Sequence, residues 1–155
     1  MDGAGIPPPK KERPRDELGR PLPWGSENRL QMEDYDKLSP DEDHRLAMQH
    51  FNAGRFFAAH EAWESAWRQL RKSEDEEFFH GLAQLGAGFT HYLRGNPRGA
   101  RMLMKRAVER IRPYGPRHRS IDVDALAAAA SSVADTLEDA RQTRKPLPQI
   151  EFPRI

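Results

Sequence analysis

Residues 60–67 read HEAWESAW, and His60, Glu61 and Glu64 in this stretch have side chains that could do acid–base or metal chemistry. On a helix, His60, Glu64 and Trp67 lie on one side because they follow each other at intervals of four and three residues. An imidazole and a carboxylate at this spacing can bind one metal ion together, and HEAWE partly matches the H-E-x-x-H pattern of zinc-binding helices. A glutamate stands where that pattern has its second histidine, so a metal site needs further ligands from another helix.

A second helical stretch carries the residues that could complete such a site. His80, Gln84 and His91 are spaced so that all three lie on one side of a helix. If this helix packs antiparallel to the one that carries His60 and Glu64, the polar side chains meet in an otherwise apolar interior. Buried polar groups are costly unless they are hydrogen-bonded, so we expect these side chains to pair with one another.

Two interpretations of these residues remain open. The one we prefer is a buried histidine–glutamate–glutamine network that holds the second and third helices together. The alternative is a metal site, with or without hydrolytic activity, in which His80 or His91 joins His60 and Glu64. Under the preferred interpretation there is no catalytic residue, no metal and no cofactor, although enzyme activity stays undecided. The residues of the expected network are His60, Glu61, Trp63, Glu64, Trp67, Gln84 and His91.

The composition limits the class of protein. The chain has 155 residues, of which 37% are hydrophobic and 32% charged, and its formal net charge is +1. These values are typical of one soluble helical domain with polar flanking segments. Cysteine is absent, which excludes disulfides and cysteine-ligated metals. No stretch approaches the roughly 18 apolar residues of a membrane span, and the first residues lack the apolar core of a secretory signal, so we expect a cytoplasmic protein without membrane contact.

Proline content and helical periodicity divide the chain into three parts. Residues 1–38 contain six prolines among mixed charges, which predicts a mostly disordered, proline-rich arm. Residues 39–140 are helical throughout and form the domain. Residues 141–155 contain three prolines, which exclude a continuing helix and predict an extended tail.

Start and stop signals divide residues 39–140 into about five helices. Ser39 followed by Pro40 is an N-cap with a first-turn proline, and Ser73 followed by Glu76 is a capping box that opens the third helix. No segment shows the alternation of a strand, so the predicted fold class is all-α. We expect a compact bundle of two αα-hairpins and a closing helix. The remaining boundaries are Gly54, Gly95, Asn96 with Pro97, Pro113, and Asp122 or Asp124.

A weak internal repeat supports the two hairpins. The segments that begin at His50 and His91 align over the end of one helix, the glycine that stops it and the start of the next helix. This layout resembles the helix pairs of tetratricopeptide repeats, although it is longer than their period of about 34 residues.

The fourth helix and the loop after it are strongly basic. Residues 94–119 contain nine arginines and lysines and one acidic residue. Arg98, Arg101, Lys105 and Arg112 form a basic patch on one side of the helix, opposite its apolar stripe. This patch could bind the phosphates of a nucleic acid or an acidic partner, but no recognition motif accompanies it.

The function that we prefer from the sequence is a non-catalytic interaction or scaffold module. A helical-hairpin bundle with a proline-rich arm and a tail spotted with apolar residues is suited to contacts with a protein partner, and Trp24 in the arm is a candidate anchor. The metal site and the basic patch are the two alternatives. No oligomeric state follows from the sequence.

The motifs of the second to fourth helices resemble the signature of a small bacterial helical family, the domain of unknown function numbered three hundred and nine. That signature is H-E-x-W-E-x-x-W, followed by G-L-x-Q-L-A and G-N-x-x-G-A. His80 departs from the glutamine and Gly86 from the alanine of the family pattern. The resemblance implies a compact helical bundle, and it does not indicate any particular activity. The matching residues are His60, Glu61, Trp63, Glu64, Trp67, Gly81, Leu82, Gln84, Leu85, Gly95, Asn96, Gly99 and Ala100.

Overall fold

The structure, a computed structural model, describes residues 13–155. Within this part of the chain, five α-helices are joined by short loops, which confirms the prediction of an all-α bundle. None of the helices within these residues is both long enough and apolar enough to cross a membrane. The helices are α1 (Pro40–Asn52), α2 (Phe56–Gln69), α3 (Glu76–Leu93), α4 (Pro97–Ile111) and α5 (Val123–Gln142), with 3-10 helices at Tyr35–Lys37 and Arg112–Tyr114 and two short strands, β1 (Arg117–His118) and β2 (Ile121–Asp122).

Each helix packs against the next one along the chain, from α1 to α5. The central helix is α3, which contacts α2 on one side and α4 on the other. This sequential packing gives two hairpins closed by α5, as the sequence predicts, while the likeness to tetratricopeptide pairs stays a prediction. The largest apolar side chains of α3 are fully buried, and they are Phe78, Phe79, Leu82, Leu85 and Phe89.

Side-chain caps start α1 and α4 where the sequence predicts them. The hydroxyl of Ser39 accepts a hydrogen bond from the N–H of Glu42 (3.2 Å). In the same way, Oδ1 of Asn96 accepts one from the N–H of Gly99 (3.1 Å). These bonds satisfy backbone N–H groups that have no partner within the helix.

The capping box predicted at Ser73 and Glu76 does not form. Helix α3 begins at Glu76 itself, and the Ser73 hydroxyl accepts from the N–H of Asp75 instead. Asp75 does not cap the helix either, because its two carboxylate oxygens bind Nε2 of His118 (2.7 Å) and Nε of Arg119 (2.6 Å). A long-range contact has therefore replaced the local cap.

Strands β1 and β2 form a small antiparallel hairpin that the sequence analysis does not predict. The turn between them consists of Arg119 and Ser120, both with a positive φ (44° and 66°). Such turns usually contain asparagine or glycine, and strands of two residues are too short to show an alternating pattern. Ile121 of β2 is fully buried, so the hairpin closes the core beside α5.

Two glycines let α3 approach its neighbours closely. A Cβ atom at Gly86 would lie 2.9 Å from the backbone N of His60, and one at Gly81 would lie 3.2 Å from the carbonyl oxygen of Ala107. Both separations are shorter than an ordinary carbon contact. Helices α2 and α3 are thus in backbone contact at His60, which fixes where the side chain of His60 lies.

Residues 13–38, which belong to the predicted arm, contact the helical domain. The carbonyl oxygen of Leu18 accepts a hydrogen bond from Nη2 of Arg94 (2.6 Å), and Tyr35 is buried against the core. These contacts come from single residues rather than from a periodic apolar face, which is why the sequence pattern does not predict them. Residues 1–12 lie outside the described residues, so the disorder of that part stays a prediction.

Candidate metal centre

His60 lies in the second turn of α2, on the side that faces α3. Its Nδ1 atom is 2.8 Å from the carbonyl oxygen of Ala83. A carbonyl oxygen only accepts hydrogen bonds, so Nδ1 carries a proton and donates it. The other ring nitrogen, Nε2, is therefore the atom that can exchange a proton or bind a cation.

Two carboxylates lie near Nε2 of His60. Oε2 of Glu64 is 3.0 Å from this nitrogen, and Oε1 of Glu61 is 4.0 Å from it. A carboxylate oxygen would repel the lone pair of a deprotonated Nε2 at 3.0 Å, so a proton or a cation must lie between the two atoms. One ligand atom from each of the three residues lies within 4.8 Å of the others. We call these three residues the His60 cluster.

The charges of the His60 cluster shift its protonation. Burial of the His60 ring opposes the charged form, but the hydrogen bonds to Glu64 and Ala83 and the charges of Glu64 and Glu61 outweigh burial and raise the pKa of His60. The hydrogen bond from His60 lowers the pKa of Glu64. Below its raised pKa, His60 is an imidazolium paired with Glu64. Above that pKa, Nε2 has a lone pair available for a cation.

Glu64 is also held by residues outside the His60 cluster. Nη1 of Arg68 donates to Oε1 of Glu64 (2.9 Å), and Nη2 of Arg68 donates to Asp36 (3.0 Å). The side chains of His60 and Glu64 are 23% and 31% exposed. This exposure corrects the expectation that the two residues belong to a buried network, because one edge of the pair is open to solvent.

Trp67 and His80 form an aromatic stack and do not belong to the His60 cluster. Their ring centroids are 4.3 Å apart and their planes are inclined by 18°. The guanidinium of Arg71 lies 5.1 Å from the centroid of the Trp67 ring. The ring of His80 packs on the indole, and burial lowers the pKa of this histidine. The predicted ligand role of His80 therefore has no support in the geometry.

Gln84 and His91 bind residues near α4, not His60. Oε1 of Gln84 accepts a hydrogen bond from Nε of Arg110 (3.0 Å), and Nδ1 of His91 is 3.0 Å from Nδ2 of Asn96. The predicted histidine–glutamate–glutamine network is thus wrong in its α3 members, because α4 supplies these side chains with closer partners. Within the expected set, the structure brings together only His60, Glu61 and Glu64 among the described residues.

A buried polar network does exist, but it is built on His44, which is not among the residues predicted from the sequence. Nε1 of Trp63 donates to Nδ1 of His44 (3.0 Å), and Nε2 of His44 is 2.9 Å from the carbonyl oxygen of Arg119. Each ring nitrogen of His44 therefore has a hydrogen-bond partner when the ring is neutral. Burial lowers the pKa of His44, which favours this neutral form. Its helical spacing to the buried Ala47 and Phe51 is the signal that could have revealed it.

His50 is a second buried histidine with two fixed partners. Nε of Arg55 donates to its Nδ1 (2.8 Å), and its Nε2 is 3.0 Å from the hydroxyl of Tyr35. Burial lowers the pKa of His50 and raises the pKa of Tyr35 to about 12. The pair joins α1 to the segment that precedes it.

Asp43, in the first turn of α1, is a fully buried carboxylate. Its Oδ2 accepts a hydrogen bond from Nε2 of Gln69 (3.0 Å), while its Oδ1 has no partner among residues 13–155. Burial raises its pKa to about 6. Asp43 and Glu64 are thus two carboxylates of the domain whose pKa values are shifted in opposite directions.

The predicted basic patch is smaller than the sequence indicates. Arg101 forms an ion pair with Glu138 of α5 (3.1 Å), and Arg112 reaches the hydroxyl of Ser131 of the same helix (3.4 Å). Two of its four members therefore contact α5. The remaining members, Arg98 and Lys105, are exposed.

Comparison with known proteins extends the geometric findings. No curated protein and no solved structure is significantly similar to the chain. A family model described as Domain of unknown function (DUF309) matches residues 44–103. The matched segment begins at His44 and includes the His60 cluster, α3 and the first half of α4. The resemblance to this family is thereby confirmed over residues 44–103, while the signature of single residues stays a prediction.

Proposed function

We propose that this chain binds a divalent transition-metal cation through Nε2 of His60 and the carboxylates of Glu61 and Glu64. The observation that carries the proposal is the hydrogen bond from Nδ1 of His60 to Ala83, which turns Nε2 toward two carboxylates at 3.0 and 4.0 Å. Metal-bound histidines commonly donate their other ring N–H to a backbone carbonyl in this way. The alternative drawn from the sequence, a metal site at His60 and Glu64, is thus the one that the geometry favours.

The donor set fits a cation such as Zn²⁺. Nitrogen and oxygen ligands lie about 2.0–2.2 Å from Zn²⁺, which places neighbouring ligand atoms about 3–3.5 Å apart. The separation of 3.0 Å between His60 and Glu64 is in this range. The carboxylate of Glu61 is 4.0 Å from Nε2 of His60 and its side chain is 34% exposed, so Glu61 would have to move closer to become a ligand. Three protein ligands leave a coordination position for water or for a group of another molecule.

Isothermal titration with Zn²⁺ at pH 7.5, on protein purified without an affinity-tag metal, tests the proposal. We expect one bound cation per chain, and a loss of at least tenfold in affinity in His60→Gln and in Glu64→Gln, because each variant removes a ligand. His91→Gln and Glu109→Gln are the matched controls, since neither residue belongs to the His60 cluster. Equal affinity in all five proteins would contradict the proposal.

A second candidate is the interaction module that the sequence favours. The supporting observation is that the domain binds its own residues 146–155 as an extended segment, through apolar contacts and side-chain hydrogen bonds. Nucleic-acid binding has less support, because Arg101 and Arg112 are directed to α5. A cytoplasmic location and a bacterial origin remain part of the proposal.

A further inference from the structure

Asp43 is a fully buried carboxylate that forms no ion pair with a basic side chain among residues 13–155. Arg68, the guanidinium beside Asp36, binds that carboxylate instead (3.0 Å). Burial raises the pKa of Asp43 to about 6, and the carboxylates of Asp36 and Glu42 add to this effect. Asp43 is therefore largely ionised at pH 7.5, and buried charges in proteins are either paired or bound to a cation.

Three oxygen atoms surround the side-chain amide nitrogen of Gln69. This nitrogen, Nε2, is 3.0 Å from Oδ2 of Asp43, 3.1 Å from the carbonyl oxygen of Leu38 and 3.2 Å from the hydroxyl of Ser65. An amide NH₂ group has two hydrogens, so it cannot donate a full hydrogen bond to three acceptors. Oδ1 of Asp43 is also buried and has no partner within the described residues. The oxygens at this point outnumber the hydrogens that the amide supplies.

Gln69 is the exposed member of this group, whereas Asp43 and Ser65 are fully buried. The Gln69 side chain can therefore turn without opening the core, and its own Oε1 can then face the other oxygens. A cation at the position of the amide nitrogen would contact a carboxylate, a backbone carbonyl and a hydroxyl. These are the oxygen donors that hard cations prefer. We call the group formed by Leu38, Asp43, Ser65 and Gln69 the Asp43 site.

The charge and the spacing of the Asp43 site favour a large monovalent cation. The site contains a single carboxylate, which one positive charge balances. Its oxygens lie 3.0–3.2 Å from the amide nitrogen, whereas oxygen ligands lie about 2.3–2.6 Å from Ca²⁺ and about 2.0–2.1 Å from Mg²⁺. K⁺ is larger than both ions, and proteins bind it with oxygens that replace its hydration shell. K⁺ therefore needs the smallest movement of the surrounding helices.

We propose that the Asp43 site binds one K⁺ ion, which joins the segment before α1 and the first turn of α1 to the last turn of α2. The ion neutralises the buried carboxylate and supplies a partner for its oxygens. The Asp43 site shares no residue with the His60 cluster, so the inference goes beyond the proposed Zn²⁺ site and does not depend on it.

Thermal unfolding of the full chain, followed by circular dichroism at pH 7.5, provides the test. Parallel samples contain KCl, NaCl or tetramethylammonium chloride at about 150 mM, which keeps the ionic strength constant. The tetramethylammonium ion is too large for the Asp43 site and serves as the inert cation. The variants are Asp43→Asn, which keeps the volume of the side chain and removes its charge, and the exposed Asp135→Asn as the matched control.

We expect the parent to melt about 3 °C higher in KCl than in tetramethylammonium chloride, because an ion that binds only the folded state stabilises it. NaCl should give a smaller increase. The increase should disappear in Asp43→Asn and persist in Asp135→Asn. Equal melting temperatures of the parent in the three salts, a larger increase in NaCl than in KCl, or an increase that persists in Asp43→Asn would overturn the proposal.

Diffraction from crystals of the parent grown with Rb⁺ in place of K⁺ locates the ion without any variant. We expect one anomalous peak beside Asp43, between the carbonyl oxygen of Leu38 and the hydroxyl of Ser65. Crystals without a peak at this position would overturn the assignment of the Asp43 site. The titration with Zn²⁺ judges the His60 cluster separately from both experiments.

Discussion

His44 and His60 lie on the neighbouring helices α1 and α2, within the residues that the DUF309 model matches, but their ring nitrogens have different partners. His44 is buried between the indole N–H of Trp63 and the carbonyl oxygen of Arg119, so its two nitrogens are satisfied in the neutral form. His60 donates one N–H to Ala83, and its other nitrogen faces carboxylates at a half-exposed surface. The pKa is lowered by burial in His44 and raised in His60.

Partner chemistry and exposure, rather than residue type, separate a histidine whose two ring nitrogens are both used within the fold from one that keeps a nitrogen available for a ligand. A neutral imidazole with one donor and one acceptor as partners has no site left for a ligand. An imidazole that meets two carboxylates keeps one nitrogen for a proton or a cation. Asp43 and Glu64 differ for the same reason. Burial raises the pKa of Asp43 to about 6, whereas the hydrogen bond from His60 lowers the pKa of Glu64.

The largest expected effect concerns stability. His44→Leu should lower the free energy of unfolding by about 3 kcal/mol, because the indole N–H of Trp63 and the carbonyl oxygen of Arg119 lose their partner inside the core. His60→Leu should cost about 1 kcal/mol or less, since its surroundings are partly solvated. Urea denaturation at pH 7 without added metal measures both values. Equal losses, or a larger loss for His60→Leu, would contradict the conclusion that His44 is the more tightly held of the two histidines.

The shifted pKa values of Asp43 and Glu64 should make the stability of the fold depend on pH. The folded-state pKa of Asp43 is raised to about 6, so the folded protein binds this proton more tightly than the unfolded chain does. Asp43 therefore makes the parent lose stability as the pH rises from about 4 to 6, whereas the lowered pKa of Glu64 makes stability fall at acid pH.

Asp43→Asn isolates the first of these effects. The difference in unfolding free energy, variant minus parent, should become about 2 kcal/mol more positive from pH 4.5 to pH 7.5. The parent loses stability over this range as Asp43 ionises, whereas the asparagine does not ionise. Denaturation curves at the two pH values measure this difference, with the exposed Asp135→Asn as the control. A difference between Asp43→Asn and the parent that does not change with pH would show that Asp43 is not a buried carboxylate of raised pKa.

A smaller effect concerns the contact that positions His60. Gly86→Ala should cost about 1–2 kcal/mol, because the new Cβ would lie 2.9 Å from the backbone N of His60 and force α2 away from α3. At Gly88 the nearest atom is Cγ of the flexible Met104 side chain, at 3.1 Å. Gly88→Ala is therefore the control, and the gain in helix propensity should offset most of its strain. Thermal melts of both variants test this, and similar melting temperatures would contradict the backbone contact.

The helical parts of the fold could be predicted from local signals. Ser39 and Asn96 cap their helices through bonds to residues three positions away, so the sequence pattern contains the whole interaction. The start of α3 could not be predicted in this way, because Asp75 is bound by His118 and Arg119 from the distant hairpin. The contacts of Leu18 and Tyr35 with the domain could not be predicted either, because their partners are also distant in the sequence.

The candidate site was predictable only where its residues share one helix. His60, Glu61 and Glu64 meet within α2, and their spacing indicates the contact that the structure shows. The contacts of the side chains expected from α3 depend on the packing of the helices. Gln84 binds Arg110 of α4 and His91 binds Asn96 just before α4, so neither joins His60. The spacing of His44 to Ala47 and Phe51 indicates only that His44 is buried. Its partners, an indole of α2 and a backbone carbonyl of the hairpin turn, could not be predicted from the sequence of α1.

A nuclear magnetic resonance measurement of the histidine ring nitrogens during addition of Zn²⁺ at pH 7.5 tests directly whether His60 binds the cation. We predict that one equivalent of Zn²⁺ shifts the Nε2 resonance of His60, while both nitrogens of His44 keep their positions because each already has a partner. An unchanged His60 resonance, or a first shift at His80 or His91, would contradict the assignment of His60 as the cation-binding histidine.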